Sequence, residues 1–115
     1  MQMFVLVLNK VECLEGILES MLENGYSGAT ILDSTGMMRV LDNDDNVDLP
    51  MMGLLRHFYS PERKKSKTMF TLIQDDQRDE LVRIIDKRIG GLDKPDSGIV
   101  FSLPVNFVEG VNKTK

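Results

Sequence analysis

The chain has no tryptophan, one cysteine and one histidine, and its aromatic content is limited to five phenylalanines and two tyrosines. Cys13 has no second thiol for an internal disulfide. Nothing places His57 beside it as a base, so Cys13 is expected to be a small hydrophobe on a helix flank rather than a nucleophile. A lone histidine is also a poor start for metal binding or proton transfer, because both need companions within reach. No nucleophile with its base and no acid–base pair emerges elsewhere, so the expectation is no catalytic residue, no metal site and no enzyme activity.

A basic excess is missing too: 14 Lys and Arg stand against 18 Asp and Glu. That leaves no broad positive field to collect nucleic acid or anionic lipid. The apolar start, Met1 to Leu8, is too short to span a bilayer, lacks a basic lead and is followed by no small-residue cleavage site. It reads as a first strand, in a cytoplasmic protein that does not insert into membranes.

What the chain does have is the composition of a globular domain, with 42% hydrophobic and 28% charged residues over 115 positions. This length suits one domain, residues 1–115, able to bury roughly 65% of the surface it exposes when unfolded.

Met3 to Leu8 is a continuous apolar run, as expected of a central strand. Asn9 with Glu12 has the spacing of a capping box, so a helix should start there. Val11, Leu14, Ile17, Leu18, Met21 and Leu22 recur at helical spacing until Asn24-Gly25 stops the helix. Ala29 to Leu32 follows as a second strand.

After a long gap the same grammar returns. Thr68 to Ile73 reads as a strand, Asp75-Asp76 as a cap, and Gln77 to Ile89 as a helix with an apolar stripe of Leu81, Ile84, Ile85 and Ile89, ended by Gly90-Gly91. Leu14, Ile17, Leu18 and Leu22 fall at the same relative positions, so the halves read as two copies of one unit. The last strand is Ile99 to Val105, with Ile99, Phe101, Leu103 and Val105 on one face and Val100 and Ser102 on the other; Pro104 should weaken it.

This order predicts an α+β, ferredoxin-like βαββαβ domain: a four-stranded antiparallel sheet with two helices on one face and a long loop between strands 2 and 3. The uncovered face would carry Val5, Val7 and other apolar side chains, and a large patch of that kind calls for oligomerisation.

The order of elements, the length and above all Gly98 to Val111 (GIVFSLPVNFVEGV) make the chain resemble the nitrogen-regulatory PII family, whose last strand ends in a similar F-x-L-P-V run. The resemblance covers Met1 to Gly36 and Lys67 to Val111. It implies a homotrimer with the sheets facing inward, and an adenine nucleotide (ATP, ADP or AMP) as regulatory ligand in clefts between subunits. It also implies a long loop after strand 2, the T-loop, that meets target proteins such as transporters or metabolic enzymes. Carried over by position, Gly36 matches the glycine opening that loop and Gly98 a glycine on the phosphate side. With them, Met38 and Arg39 at the loop's root and Gly91 and Lys94 before the last strand make up the candidate ligand site. The sequence departs from the family where Ile99 replaces a phosphate-binding lysine, and where Gly110 and Asn112 replace a pair of arginines. Arg39, Lys94 and Lys113 are the cations available to compensate.

The insertion, residues 35–66, far exceeds an ordinary connection of about 4 to 6 residues; residues 112–115 form a tail. Asp42, Asp44 and Asn46 have the alternate spacing of a calcium loop, but Val47 stands in place of its glycine and Gly53 in place of its glutamate, so a solvated acidic turn is expected. Pro50 can open a short helix whose apolar residues, Met51, Met52, Leu54, Leu55 and Phe58, suit either packing on the domain or docking on a target protein. Arg63, Lys64, Lys65 and Lys67 supply a basic return. Tyr59 does not match the context of the family's modified tyrosine. The expected function is a non-enzymatic sensor of a small metabolite; the alternative is a trimeric structural or metal-tolerance-type protein of the same fold.

Overall fold

The computed structural model describes residues 1–42 and 65–111. The candidate target-binding face (Met51, Met52, Leu54, Leu55, Phe58), Asp44, Asn46, His57, Tyr59, Arg63, Lys64 and Lys113 all lie outside the described residues.

The architecture is α+β. The elements run β1 (Gln2–Leu8), α1 (Leu14–Glu23), β2 (Thr30–Ser34), α2 (Met37–Asp42), β3 (Ser66–Ile73), α3 (Arg78–Ile89) and β4 (Gly98–Pro104). The four strands form one sheet in the order β2-β3-β1-β4, and every neighbouring pair is antiparallel. This arrangement is compatible with a ferredoxin-like fold. No helix among the described residues is long and apolar enough to cross a membrane.

Because side chains alternate along a strand, the register sorts the two faces. Phe4, Leu6 and Leu8 of β1 point with Met69 and Ile73 of β3 into the core, where Ile17 and Met21 of α1 and Leu81, Ile85 and Ile89 of α3 meet them. Both long helices thus pack on the same side of the sheet, as the apolar stripes predict. Gly90 ends α3 with φ of 86°, a left-handed conformation that glycine adopts without a Cβ clash. Lys10 Nζ donates to the Ile89 carbonyl at 3.0 Å, placing a cation at that helix's negative end.

Three local expectations need correction. Asn9 does not cap α1: its backbone N–H and that of Lys10 both donate to the Ser97 carbonyl, at 3.0 and 3.1 Å, and a 3-10 turn (Val11–Cys13) intervenes before the helix. The turn ahead of β4 therefore fixes the entry to α1. At α3, a 3-10 turn (Asp75–Gln77) takes the place of an aspartate cap, and the Gln74 N–H donates to Gln77 Oε1 at 2.7 Å. Leu22 is 66% exposed, whereas Ile89, its counterpart in the internal comparison, is buried. The buried pair Ile17 and Met21 matches Leu81 and Ile85 instead, a shift of about one turn.

The opposite face of the sheet is built in rows: Leu103, Met3 and Leu72; Phe101, Val5, Phe70 and Thr30; Ile99, Val7, Thr68 and Leu32. Of the residues in these rows only Val5, at the centre, is buried, while Phe101 is 48% and Ile99 62% exposed. The uncovered apolar face expected from the strand patterns is present in this chain.

Candidate functional site

The chain leaves β2 and returns in β3 at paired positions, with Ser34 opposite Ser66. The Ser34 hydroxyl lies 2.7 Å from both Ser66 Oγ and Thr68 Oγ1, a small hydroxyl cluster closing the end of the sheet. Beside it, Lys67 Nζ donates to Asp33, and this hydrogen bond, followed by the charge of Lys67, holds the Asp33 carboxyl below the ordinary carboxylate range.

Gly36, two residues past Ser34, accepts the first α2 hydrogen bond through its carbonyl, from the Val40 N–H at 3.1 Å. Nothing lies within 4 Å of where a Cβ on Gly36 would stand, so its backbone is open to an incoming group. α2 is a single short helix that the sequence analysis did not anticipate. Met37 and Val40 face outward at 72% and 55% exposure, Met38 is half-buried, and Arg39 is buried.

Arg39 does not project towards solvent as a spare cation. Its Nη2 donates to Asp96 Oδ1 and Oδ2 at 2.7 and 2.8 Å, and both side chains are only 7% exposed. A guanidinium buried against a carboxylate keeps its charge partnered where water is excluded. The pair brings α2 onto the turn between α3 and β4, which contains Gly91 and Lys94 and leads into Gly98, the first residue of β4. The structure thus joins the two segments that hold the candidate ligand residues, and it does so through Asp96, which the sequence analysis missed.

Within that turn Gly91 has φ of 122° and accepts from the Lys94 N–H at 3.2 Å. Lys94 is exposed. Ser97 is buried, donates its hydroxyl to the Lys94 carbonyl at 2.8 Å, and anchors the residues before α1 through its own carbonyl. Asp96 adopts φ of 55°, a left-handed conformation uncommon outside glycine but favoured by Asp and Asn among the rest. Gly98 has a packing reason of its own: a Cβ there would stand 3.1 Å from the Val7 carbonyl oxygen, with Leu6 and Ile89 close behind.

No group of three or more His, Cys, Asp or Glu able to hold a metal occurs among the described residues. A separate cavity of about 710 Å³ opens at the other end of β2, lined by Tyr26, Gly28, Thr30, Phe70, Leu72 and Gln74 among others, and contains none of the candidate ligand residues. No family model matches the chain, and no curated protein matches it either.

Proposed function

We propose that the chain is a non-enzymatic signal-transduction protein of the PII-like kind, with a ferredoxin-like βαββαβ core. It works in the cytoplasm as a homotrimer packed through the uncovered sheet face. A small metabolite, of the adenine-nucleotide class, binds between the root of the insertion (Gly36, Met38, Arg39) and the turn of Gly91, Lys94 and Gly98. The insertion then carries the signal to a target protein, a transporter or a metabolic enzyme.

The observation that carries this reading is the junction of those two segments by Arg39 and Asp96, on a sheet whose far face presents Ile99, Phe101 and Leu103 to solvent. A ligand shifts the insertion only through a difference in affinity for its states, so a site at its root has the required leverage.

Light scattering and a thermal-shift series with ATP, ADP, AMP and 2-oxoglutarate test the proposal. A trimer whose melting temperature rises with one of these ligands is expected, since a specific ligand at 100 times its dissociation constant adds about 2.7 kcal/mol. A monomer with no shift would sink it.

A trimeric structural or metal-tolerance-type protein is the second reading. It is favoured by the engagement of Arg39 with Asp96, which leaves less charge for a triphosphate. A trimer indifferent to every ligand would favour it.

A further inference from the structure

We infer that Arg39 and Asp96 form an exchangeable latch, in which Asp96 occupies an anion seat on Arg39 and a ligand's phosphate or carboxylate takes that seat, releasing α2 from the α3–β4 turn. The inference rests on three features of the pair. Arg39 is the one fully buried residue of Met37–Leu41, Met38 and Leu41 are only partly buried, and Met37 and Val40 face outward, so the ion pair adds a polar tie to a modest apolar contact. Six residues are too few to hold a helix by backbone bonds alone, so its order depends on what it is tied to.

The seat is also suited to exchange. Here one nitrogen, Nη2, donates to both carboxylate oxygens, and a guanidinium donates as readily to a phosphate as to a carboxylate. Here the guanidinium is already stripped of water by its surroundings, so replacing one anion by another adds no desolvation of the cation. Asp96 sits at φ of 55° in a turn preceded by Pro95 and followed by Ser97 and Gly98, a backbone conformation that aspartate tolerates. The pair spans 57 residues, joining the root of the insertion to the turn where the ligand is proposed to bind.

The ligand half of this inference rests on the function proposed above, and the latch itself does not. Hydrogen exchange read by mass spectrometry on the full chain separates them, using the Val40 amide as reporter for α2 and amides of β1 as the reference for global stability. Asp96→Asn and Arg39→Gln should each speed Val40 exchange by about tenfold or more relative to β1. The charge-swapped chain, Arg39→Asp with Asp96→Arg, should recover most of the protection. If a single variant is too unstable, Arg39→Lys, which keeps the charge but loses the fork, serves in its place. Unchanged Val40 exchange in the single variants overturns the latch.

For the ligand half, AMP, ATP and 2-oxoglutarate are added to the native chain and to Asp96→Asn. A ligand that takes the seat speeds Val40 exchange in the native chain and has little further effect in the variant. A ligand that raises the melting temperature yet leaves Val40 exchange unchanged overturns the exchange mechanism. Absence of any thermal shift counts against the proposed function, and the latch is then decided by the variants alone.

Discussion

The phenol of Tyr26 donates a 2.7 Å hydrogen bond to Glu80 Oε1, tying the turn after α1 to the first turn of α3 across 54 residues. The Gln77 carbonyl oxygen lies 3.1 Å from the Tyr26 hydroxyl. Burial, then the hydrogen bond to Glu80, pushes the phenol up from 10.0 to about 12. The folded state therefore favours the neutral phenol, and the stability it contributes is complete below pH 10 and lost as the pH rises towards 12. Ultraviolet titration should show one tyrosine ionising near pH 12 with unfolding close behind. Tyr26→Phe should cost about 1 kcal/mol at neutral pH and remove that alkaline step. An unchanged high-pH transition in the variant would assign it to another group.

For the buried ion pair, removing one partner should cost far more than the pair's net worth. Asp96→Asn removes the carboxylate that meets Arg39 at 2.7 and 2.8 Å, and is expected to lose about 3 kcal/mol in urea unfolding. Arg39→Met combined with Asp96→Asn should lose clearly less than the two single changes added together. Additive losses would mean that the two side chains act independently.

Two glycines of the candidate site should behave oppositely on mutation. Gly98→Ala presses a methyl against the Val7 carbonyl, a backbone atom that cannot swing aside, and should cost about 1–3 kcal/mol. Gly36→Ala meets nothing within 4 Å and should leave thermal stability within about 0.5 kcal/mol of the native chain. If Gly36→Ala nonetheless abolishes a nucleotide-dependent melting shift, the loss belongs to the ligand contact. If the shift survives, Gly36 is not part of the contact.

The uncovered sheet face gives a prediction about assembly. Ile99 and Phe101 are largely exposed in the single chain, so Ile99→Lys with Phe101→Lys removes apolar contact between copies while leaving the helix-side core untouched. Light scattering should report a monomer that still unfolds cooperatively. A variant that keeps the native mass would place the interface elsewhere.

Strand positions were legible because burial on one face imposes a period of two, and Phe4, Leu6 and Leu8 could not change faces without emptying the core. Helix starts were less so: a capping pattern at Asn9 competes with backbone partners, and here the Ser97 carbonyl took both N–H groups. Arg39 was recognised as important for its position, but its role depends on a carboxylate 57 residues away. The available signal was Lys94-Pro95-Asp96-Ser97-Gly98, a turn sequence in which aspartate tolerates a left-handed backbone. Nothing local announces which cation that aspartate faces. α2 escaped notice for a related reason, as six residues are too short a span to show a helical period.

Ser34 and Ser66 stand side by side in the sheet, so the chain departs and returns at neighbouring positions. Closing such a gap depends only weakly on its length, each doubling adding about 0.6 kcal/mol. The pairing of Ser34 with Ser66 therefore works as a clasp, fixing the two ends of the insertion at one edge of the sheet at a closure cost that barely registers how many residues lie between them.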